Sequence, residues 1–447
     1  MKLRFWGTRG SIAVPGPHTV RFGGNTSCVE LQTKDVEIIL DCGTGVRELG
    51  MELMRARKAP LHAHILLSHT HWDHIQGFPF FPPALAPGNH ITLYSARGYE
   101  RPLKDVLAGQ MDYTYFPLKL AQMASDIQFR ELDEETFDID HVQVRTHFLN
   151  HTTLTMGYRI VSGGRTVVYA TDTEPFGTYH LGANGGNDVR AHFVHEGDLR
   201  FVNFVEGADV LIHDAQYTEA EYPSKVGWGH STVDYAVEVA LAAHVKHLVL
   251  FHHDTVRNDD QVAELESYAQ MKVAERGSEL IVTAAAEGQE IELEEREEER
   301  VHHLSTSTSV ATHQYKLLFA DDDPDTVELL RECFSDPRVY QVHVAHDGQS
   351  AIETALEVEP DLILLDMFMP GVDGYAVTQR LRSEPAMKHT PILIITGLAN
   401  EQNEATGFQI GVTDFMRKPF ALAQLRARVE MWLHRKDQPH VVGSILA

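Results

Sequence analysis

Cysteine is scarce: the chain has three, Cys28, Cys42 and Cys333, in 447 residues. They are too few and too scattered for a disulfide framework or a cysteine-built zinc cluster. No apolar run approaches the ~18–20 residues that span a bilayer, so no membrane span is expected. The first eight residues hold neither an apolar h-region nor a small-residue cleavage site, and no signal peptide is expected either. Positive charge is also in short supply, with 38 Lys+Arg against 64 Asp+Glu and a formal net charge of −26. That balance opposes the phosphate neutralisation on which nucleic-acid affinity rests, so long nucleic acid is not an expected partner. A small anionic substrate stays open, because bound cations can dominate a local field. With 43% hydrophobic and 23% charged residues the chain reads as a soluble globular protein, expected in the cytoplasm.

The length is roughly three times the ~150 residues of a typical domain, so more than one domain is expected. An acidic run at 290–300, followed by a Ser/Thr tract at 305–309, offers little to bury and reads as a solvated linker. Its charge pattern allows the first half to continue a helix. The expected domains are therefore 1–289 and 316–447, joined by a linker at 290–315. After the linker, strands at 316–320, 339–345, 362–365, 392–396 and 414–416 alternate with helices at 325–334, 349–357, 374–382, 402–410 and 422–435. Five such units predict a doubly wound parallel sheet with helices on both faces. The first domain is richer in strands, at 3–6, 27–32, 36–40, 63–67, 91–95, 142–148, 156–161, 166–170, 210–213, 247–251 and 279–283, with helices at 46–57, 231–243 and 260–276. Both parts are α/β.

Histidine is plentiful, at 27 residues. His69, His71, Asp73 and His74 fall within six residues at the mouth of the apolar strand at 63–67. Imidazole with carboxylate suits zinc, and also manganese or iron. A His-rich surface loop is the bland alternative. Against it, His151, Asp172 and His252 each follow another expected strand, where α/β proteins build sites.

These residues resemble the metallo-β-lactamase superfamily from Met1 to about Glu290, with His69, His71, Asp73 and His74 matching its HxHxDH motif. Asp41-Cys42-Gly43-Thr44-Gly45 matches an Asp-x-Gly turn whose Asp braces the metal loop. His151 ahead of Gly157-Tyr158-Arg159, and Gly229-His230-Ser231-Thr232 ahead of a helix leading to His252, are similar to ribonuclease Z and its cyclic phosphodiesterase relatives. The resemblance implies an αβ/βα sandwich holding two divalent metals, zinc in the first instance with manganese or iron as alternatives. One metal would take His69, His71 and His151, and the other Asp73, His74 and His252, with Asp172 bridging. A hydroxide between cations ~3.5–4 Å apart would attack the ester and Asp73 would orient it. His230 would protonate the departing alkoxide, fixed by Asp214, where that branch carries the longer Glu. A helix-start role for His230, with Ser231 and Thr232 as cap, competes with this. Strand alternation turns one of His252 and His253 away from the metals, and the resemblance selects His252. Oxygen-reducing di-iron relatives tend to carry Glu where His71 stands, and no Gly/Pro-rich arm like that of transfer-RNA maturases is visible. A small phosphodiester such as a cyclic nucleotide is the implied substrate. A non-catalytic metal-binding signalling scaffold and a hydrolase of carboxylic or thioesters, such as lactones, remain alternatives.

In the second domain Asp321 and Asp322 end the first strand, Asp366 the third and Thr396 the fourth, while Lys418 follows the fifth. In a doubly wound sheet these ends converge on one edge. Carboxylates gathered there require a hard cation such as Mg²⁺, and a hydroxyl and an ammonium opposite would stabilise phosphoryl oxygens. The stretch from Lys316 to about Arg435 resembles a response-regulator receiver domain of flavodoxin-like fold. It implies phosphorylation at Asp366, Mg²⁺ held by Asp321, Asp322 and Asp366, phosphoryl contacts from Thr396 and Lys418, and Phe415 as the inward-turning aromatic. A receiver-like fold that is never phosphorylated is the alternative. The chain as a whole reads as a two-component response regulator with a di-metal hydrolase output. Its expected partners are a cognate histidine kinase or phosphotransfer protein and a small phosphodiester, and the switch would bias a domain or homodimer contact.

Overall fold

The structure, a computed structural model, describes residues 1–56, 60–97, 101–177, 189–193, 195–296, 314–397, 407, 408, 410–418, 420 and 422–436. The chain divides into two compact units, the first drawn from residues up to 305 and the second from those beyond; Phe176, Gly177 and residues 195–199 group with the second. No helix among the described residues is long and apolar enough to cross a membrane.

The first unit opens with β1 (Lys2–Gly7), β2 (Cys28–Gln32), β3 (Glu37–Leu40), α1 (Val46–Ala56), β4 (His62–Leu66), α2 (Trp72–Ile75), β5 (His90–Ala96), α3 (Leu103–Gln110) and β6 (Asp126–Leu132). It continues with β7 (Thr136–Ile139), β8 (Val142–Leu149), β9 (Thr155–Ser162), β10 (Arg165–Ala170), α4 (Glu196–Val205), β11 (Val210–Asp214), α5 (Val233–Ala242), β12 (His247–Phe251), α6 (Asp259–Glu275), β13 (Ile281–Ala284) and β14 (Glu290–Glu292). Two seven-stranded sheets result, ordered β14-β1-β2-β3-β4-β5-β6 and β13-β12-β11-β10-β9-β8-β7. In β1 every second side chain is buried, so Leu3 and Phe5 face inward as the two-residue period of a strand requires. The sheets meet face to face: the Phe5 and Phe251 rings lie 6.2 Å apart, and the Tyr158 hydroxyl of β9 donates to the Leu67 carbonyl at 2.6 Å. On the outer face of the first sheet Val46, Leu49 and Leu53 of α1, three and four residues apart, pack on Ile39, Ile65 and Leu93 with Leu103 and Leu107 of α3. This is the αβ/βα sandwich expected.

Five elements besides β14 lie outside the expected set: β6, β7, α2, α3 and α4. β6 reads Asp-Ile-Gln-Phe-Arg-Glu-Leu on a half-exposed sheet edge, and its polar content hides the strand. The head of the acidic run is another difference. Instead of joining a linker or a helix, Glu290–Glu292 pair with Lys2–Arg4, and Glu290 sits 2.9 Å from Lys2 Nζ. The acids there answer the basic side chains of β1. Residues 297–313, the rest of the expected linker, lie outside the described residues.

Most relevant to the site, β3, β4 and β5 run parallel, as do β10, β11, β12 and β13. The loops after β4, β10, β11 and β12 therefore leave the strands' carboxyl ends, where α/β sheets place ligands.

The second unit is β15 (Tyr315–Ala320), α7 (Pro324–Cys333), β16 (Tyr340–Ala345), α8 (Gly348–Val358), β17 (Leu362–Asp366), α9 (Gly374–Arg382), β18 (Ile392–Thr396), β19 (Asp414–Arg417) and α10 (Leu422–Lys436). The sheet order is β16-β15-β17-β18-β19 with every pairing parallel. β17 and β18 are buried throughout, which explains their unbroken apolar runs. Asp323, Asp347 and Asp373 cap α7, α8 and α9 by accepting from backbone amides. Of the helix expected at 402–410, most lies outside the described residues.

Asp414, at the start of β19, is buried and accepts from Arg428 Nη1 at 2.6 Å and Trp432 Nε1 at 2.9 Å. Burial alone would raise its pKa, but the Arg428 guanidinium is the largest opposing charge and the carboxyl is held at about 2. A depressed carboxylate contributes stability that is present above its unfolded pKa of ~3.9 and is lost as pH falls toward the folded value. Asp414→Asn is expected to cost roughly 3–5 kcal/mol, because it takes from the buried Arg428 guanidinium the carboxylate 2.6 Å away. Urea midpoints should show this at pH 7, and the gap to wild type should narrow as the pH falls from about 4 toward 2.

Candidate functional site

The loop after β4 starts the first site. Ser68 donates through its amide to Asp41 Oδ1 at 2.6 Å and through its hydroxyl to Oδ2 at 2.8 Å. The same Oδ2 accepts from the Tyr169 hydroxyl at 2.6 Å and lies 2.7 Å from His74 Nδ1. A buried carboxylate thus fixes the loop and the His74 ring together, leaving Nε2 to face inward. α2 follows at once, with His71 at its cap and Asp73 and His74 buried in its first turn. Gly43 is where the loop comes closest, since a Cβ there would sit 2.4 Å from the Asp73 carbonyl.

His69, His71, Asp73, His74, His151, Asp172 and His252 converge from four strand ends. His69, His71 and His151 form one group and Asp73, His74, Asp172 and His252 another, the ligand atoms of each within 4.8 Å of one another. Asp172 faces both. Its Oδ1 is 3.3 Å from His74 Nε2 and 3.2 Å from His252 Nε2, while Oδ2 is 3.7 Å from His69 Nε2 and 3.8 Å from His151 Nε2. Asp73 Oδ2 lies 3.2 Å from His74 Nε2 and 3.1 Å from His252 Nε2, and accepts from the Ser11 amide at 2.7 Å. His71 is the exposed member, with Nδ1 3.2 Å from His151 Nε2.

The electrostatics follow from burial. Desolvation pushes His69 and His71 below their ordinary pKa and His151 down to about 3, so burial favours the neutral form of these rings, the form in which an imidazole can coordinate. His74 runs the other way: Asp73, Asp172 and Asp41 outweigh its burial and raise it. Asp73 and Asp172 are held well below the carboxylate range despite burial, chiefly by His74 and His252. His69 Nε2 is buried without a hydrogen bond among the described residues. Converging lone pairs, an orphaned imidazole nitrogen and a shared carboxylate suit divalent metals, so the residues present fit the ions that the resemblance implies. Backbone strain adds to the picture, since Asp41, Asp172 and His252 have φ of 60°, 55° and 60°. Non-glycine residues in that region cost of order 1–3 kcal/mol each and cluster at functional sites.

His230 stands beside both groups. Its Nδ1 is 2.8 Å from Asp214 Oδ2 and its ring centroid is 5.0 Å from that of His252. Burial disfavours the imidazolium, yet the Asp214 carboxylate raises the pKa to about 9. The competing helix-start reading fails in one respect: Thr232 alone caps α5, and Ser231 donates to the Thr173 carbonyl at 2.5 Å. His253 turns away, 2.9 Å from the Ala285 carbonyl, and His213 is buried against the Asp214 carbonyl at 2.6 Å.

Sequence reasoning missed the braces. The Gly229 carbonyl lies 2.8 Å from His151 Nδ1, and a Cβ on Gly229, whose φ is 82°, would fall 2.1 Å from that nitrogen. Glu174 accepts from the Gly229 and Gly227 amides at 2.9 and 2.7 Å. The glycines were a usable signal; Glu174 and Tyr169 gave none.

In the second unit Asp321, Asp322 and Asp366 bring ligand atoms within 4.8 Å of one another. Lys418 Nζ bridges Asp321 Oδ2 at 2.8 Å and Asp366 Oδ2 at 2.6 Å. Burial and the neighbouring Asp366 raise the Asp321 pKa, and the two carboxylates raise Lys418 against its own burial. Thr396 is buried at the end of β18, and Phe415 is buried edge-on to Phe408 at 5.1 Å.

Residues 37–253 match the family model of a beta-lactamase superfamily domain, and 317–430 that of a response regulator receiver domain. A probable cyclic di-GMP phosphodiesterase of Vibrio cholerae is 31% identical over 143 residues, 32% of this chain and 31% of that protein. The DNA-binding dual master transcriptional regulator RpaA of Synechocystis is 37% identical over 126 residues, 28% of this chain and 51% of that one. The chain thus spans about a third to a half of the length of these curated relatives. The crystal structure of the human short form of tRNase Z superposes with a TM-score of 0.44 at 21% identity, covering 65% of this chain and 99% of that one.

Zinc-loaded protein is expected to hold two ions in this site, counted by elemental analysis after dialysis. Asp41→Ala should weaken one of them by about 10–100-fold in chelator competition, since it frees the His74 ring, while the His69–His71–His151 group keeps its own.

Proposed function

The chain belongs to the beta-lactamase superfamily over its first domain and to the response regulator receivers over its second, and from that premise we propose that it hydrolyses a small phosphodiester under the control of phosphorylation at Asp366. What carries the reading is the division of Asp172 between two ligand groups with the Asp214–His230 pair beside them. His69, His71 and His151 would hold one metal, Asp73, His74 and His252 the other, and Asp172 both. Zinc suits this donor set, with manganese or iron as alternatives. Two such ions supply a Lewis-acidic pair that makes water nucleophilic near neutral pH and neutralises charge on an ester undergoing in-line displacement.

The chain's own groups do the rest. Asp73, its carboxylate set by the Ser11 amide, orients the attacking water. His230 gives its Nδ1 proton a partner in Asp214 Oδ2, which leaves Nε2 to protonate the departing alkoxide. A pKa of about 9 supplies the protonated form that such a donor needs at neutral pH. Asp214 is one methylene shorter than the acid expected at its position, yet it reaches His230 at 2.8 Å. The Vibrio phosphodiesterase agrees with this ester class without fixing a substrate, since the chain covers only 31% of it.

A receiver domain takes its phosphoryl group from a phosphodonor such as a histidine kinase. Asp321, Asp322 and Asp366 would hold Mg²⁺, the usual hard cation for such an oxygen set. Lys418, 2.6 Å from Asp366 Oδ2, and Thr396, which follows the Ile395 paired with Asp366, would contact phosphoryl oxygens on Asp366.

Bis-p-nitrophenyl phosphate should be turned over by the zinc- or manganese-loaded protein. His230→Ala should lower kcat by about 10²–10⁴-fold with metal content unchanged. Turnover of lactones or thioesters but of no phosphodiester would move the site to that ester class, and full metal occupancy without turnover of any ester would favour a scaffold. Acetyl phosphate with Mg²⁺ is expected to label wild type and not Asp366→Asn, read by intact mass; equal labelling would refute the assignment.

A further inference from the structure

The chain has four tryptophans. Two are strongly exposed, Trp72 at 77% and Trp228 at 56%, and both adjoin site residues. Trp72 stands between His71 and Asp73, and Trp228 precedes Gly229, whose carbonyl braces His151. Tryptophan is enriched at contact surfaces, where an apolar ring and a polar N–H are both used. Trp228 is also part of a built feature. Lys225 Nζ lies 3.9 Å from the centre of its indole and 5.7 Å from that of the buried Tyr217 ring, which in turn lies 6.0 Å from the His230 ring. Lys225 makes no ion pair among the described residues.

The feature is rigid. Glu174 accepts from the Tyr222 hydroxyl at 2.9 Å and from the Gly227 amide at 2.7 Å, and Glu221 Oε2 accepts from the Thr218 amide and hydroxyl, each at 2.8 Å. Residues 218–229 are therefore held in place before any ligand arrives, which lowers the ordering cost of binding. Pinned, aromatic and cationic, this lip borders the side of the site where His230 would meet the leaving oxygen.

We propose that Tyr217, Lys225 and Trp228 form a recognition lip for a nucleotide, stacking its base on the open face of Trp228 and drawing its phosphate charge toward Lys225. The inference rests on the phosphodiesterase reading and narrows it to substrates whose alcohol carries a nucleobase. One indole face already holds the ammonium, and a planar base suits the other, because stacking on an aromatic side chain tolerates any base. The cation favours an anionic ligand over a neutral aromatic one.

The test pairs 2′,3′-cyclic AMP with base-free ribose 2′,3′-cyclic phosphate on metal-loaded full-length protein. Trp228→Ala is expected to raise KM for the nucleotide about tenfold, the size of one stacked base, with kcat, metal content and kinetics on the base-free ester unchanged. Lys225→Gln should weaken AMP more than adenosine in equilibrium binding read by quenching of indole fluorescence. Equal losses on both esters, or an unchanged nucleotide KM, would overturn the lip. If no phosphodiester is hydrolysed but AMP quenching still depends on Trp228, the catalytic reading fails and the lip survives; if hydrolysis proceeds without that dependence, the lip fails alone.

Discussion

One carboxylate organises the first domain: Asp172, whose two oxygens each face a separate set of ligands. Carboxylates and imidazoles buried this densely pay a desolvation penalty that hydrophobic packing does not return. The fold meets it with oriented partners. Asp41 gathers four donors onto one carboxylate, with Ser68 giving two and Tyr169 and His74 the others. Left-handed backbone at Asp41, Asp172 and His252 shows that strain is tolerated where ligands must be aimed. The surrounding sheets make this affordable, since Leu40, Thr171 and Phe251, next to those three residues in the chain, are fully buried.

The two sites use one geometric rule for different chemistries. Both collect side chains from the carboxyl ends of parallel strands, with His151, after the antiparallel β8, as the exception. In the sandwich the ends after β4, β10 and β12 deliver imidazoles together with carboxylates, a set that favours borderline metals. In the receiver the ends of β15 and β17 deliver oxygen alone, which favours a small hard cation, and Lys418 stands in the same space. Donor softness would separate two candidate metal sites in one chain, with no need for a specialised fold at either.

Much of this was legible in the sequence because chemistry and periodicity agreed there. Apolar runs ending in His or Asp marked the strand ends at His69, Asp172, His252 and Asp366, whose side chains the fold gathers into groups. Elements on sheet edges were not legible. In β6 the buried and half-exposed positions do not alternate cleanly, and β14 is an acidic triplet whose partner, Lys2–Arg4, lies almost the whole first domain away in sequence. The bracing shell was hidden for a second reason. Ser11 acts through an amide and Glu174 through a loop it holds, and neither leaves a mark in a residue pattern, whereas Gly229 shows at least by being a glycine.

Net charge and local field give opposite accounts of the same substrate. A charge of −26 repels any anion at a distance. At physiological ionic strength, however, exposed charges fade over a Debye length of about 8 Å. Within that radius the neutral rings of His69, His71 and His151 add no negative charge, and His230 is raised toward its cationic form. Two divalent cations would outweigh the two carboxylates, Asp73 and Asp172, among their ligands. For the proposed substrate class the acidity of the rest of the surface would then select by size: an extended polyanion must cross it for many charges at once, and a single phosphodiester for only one or two.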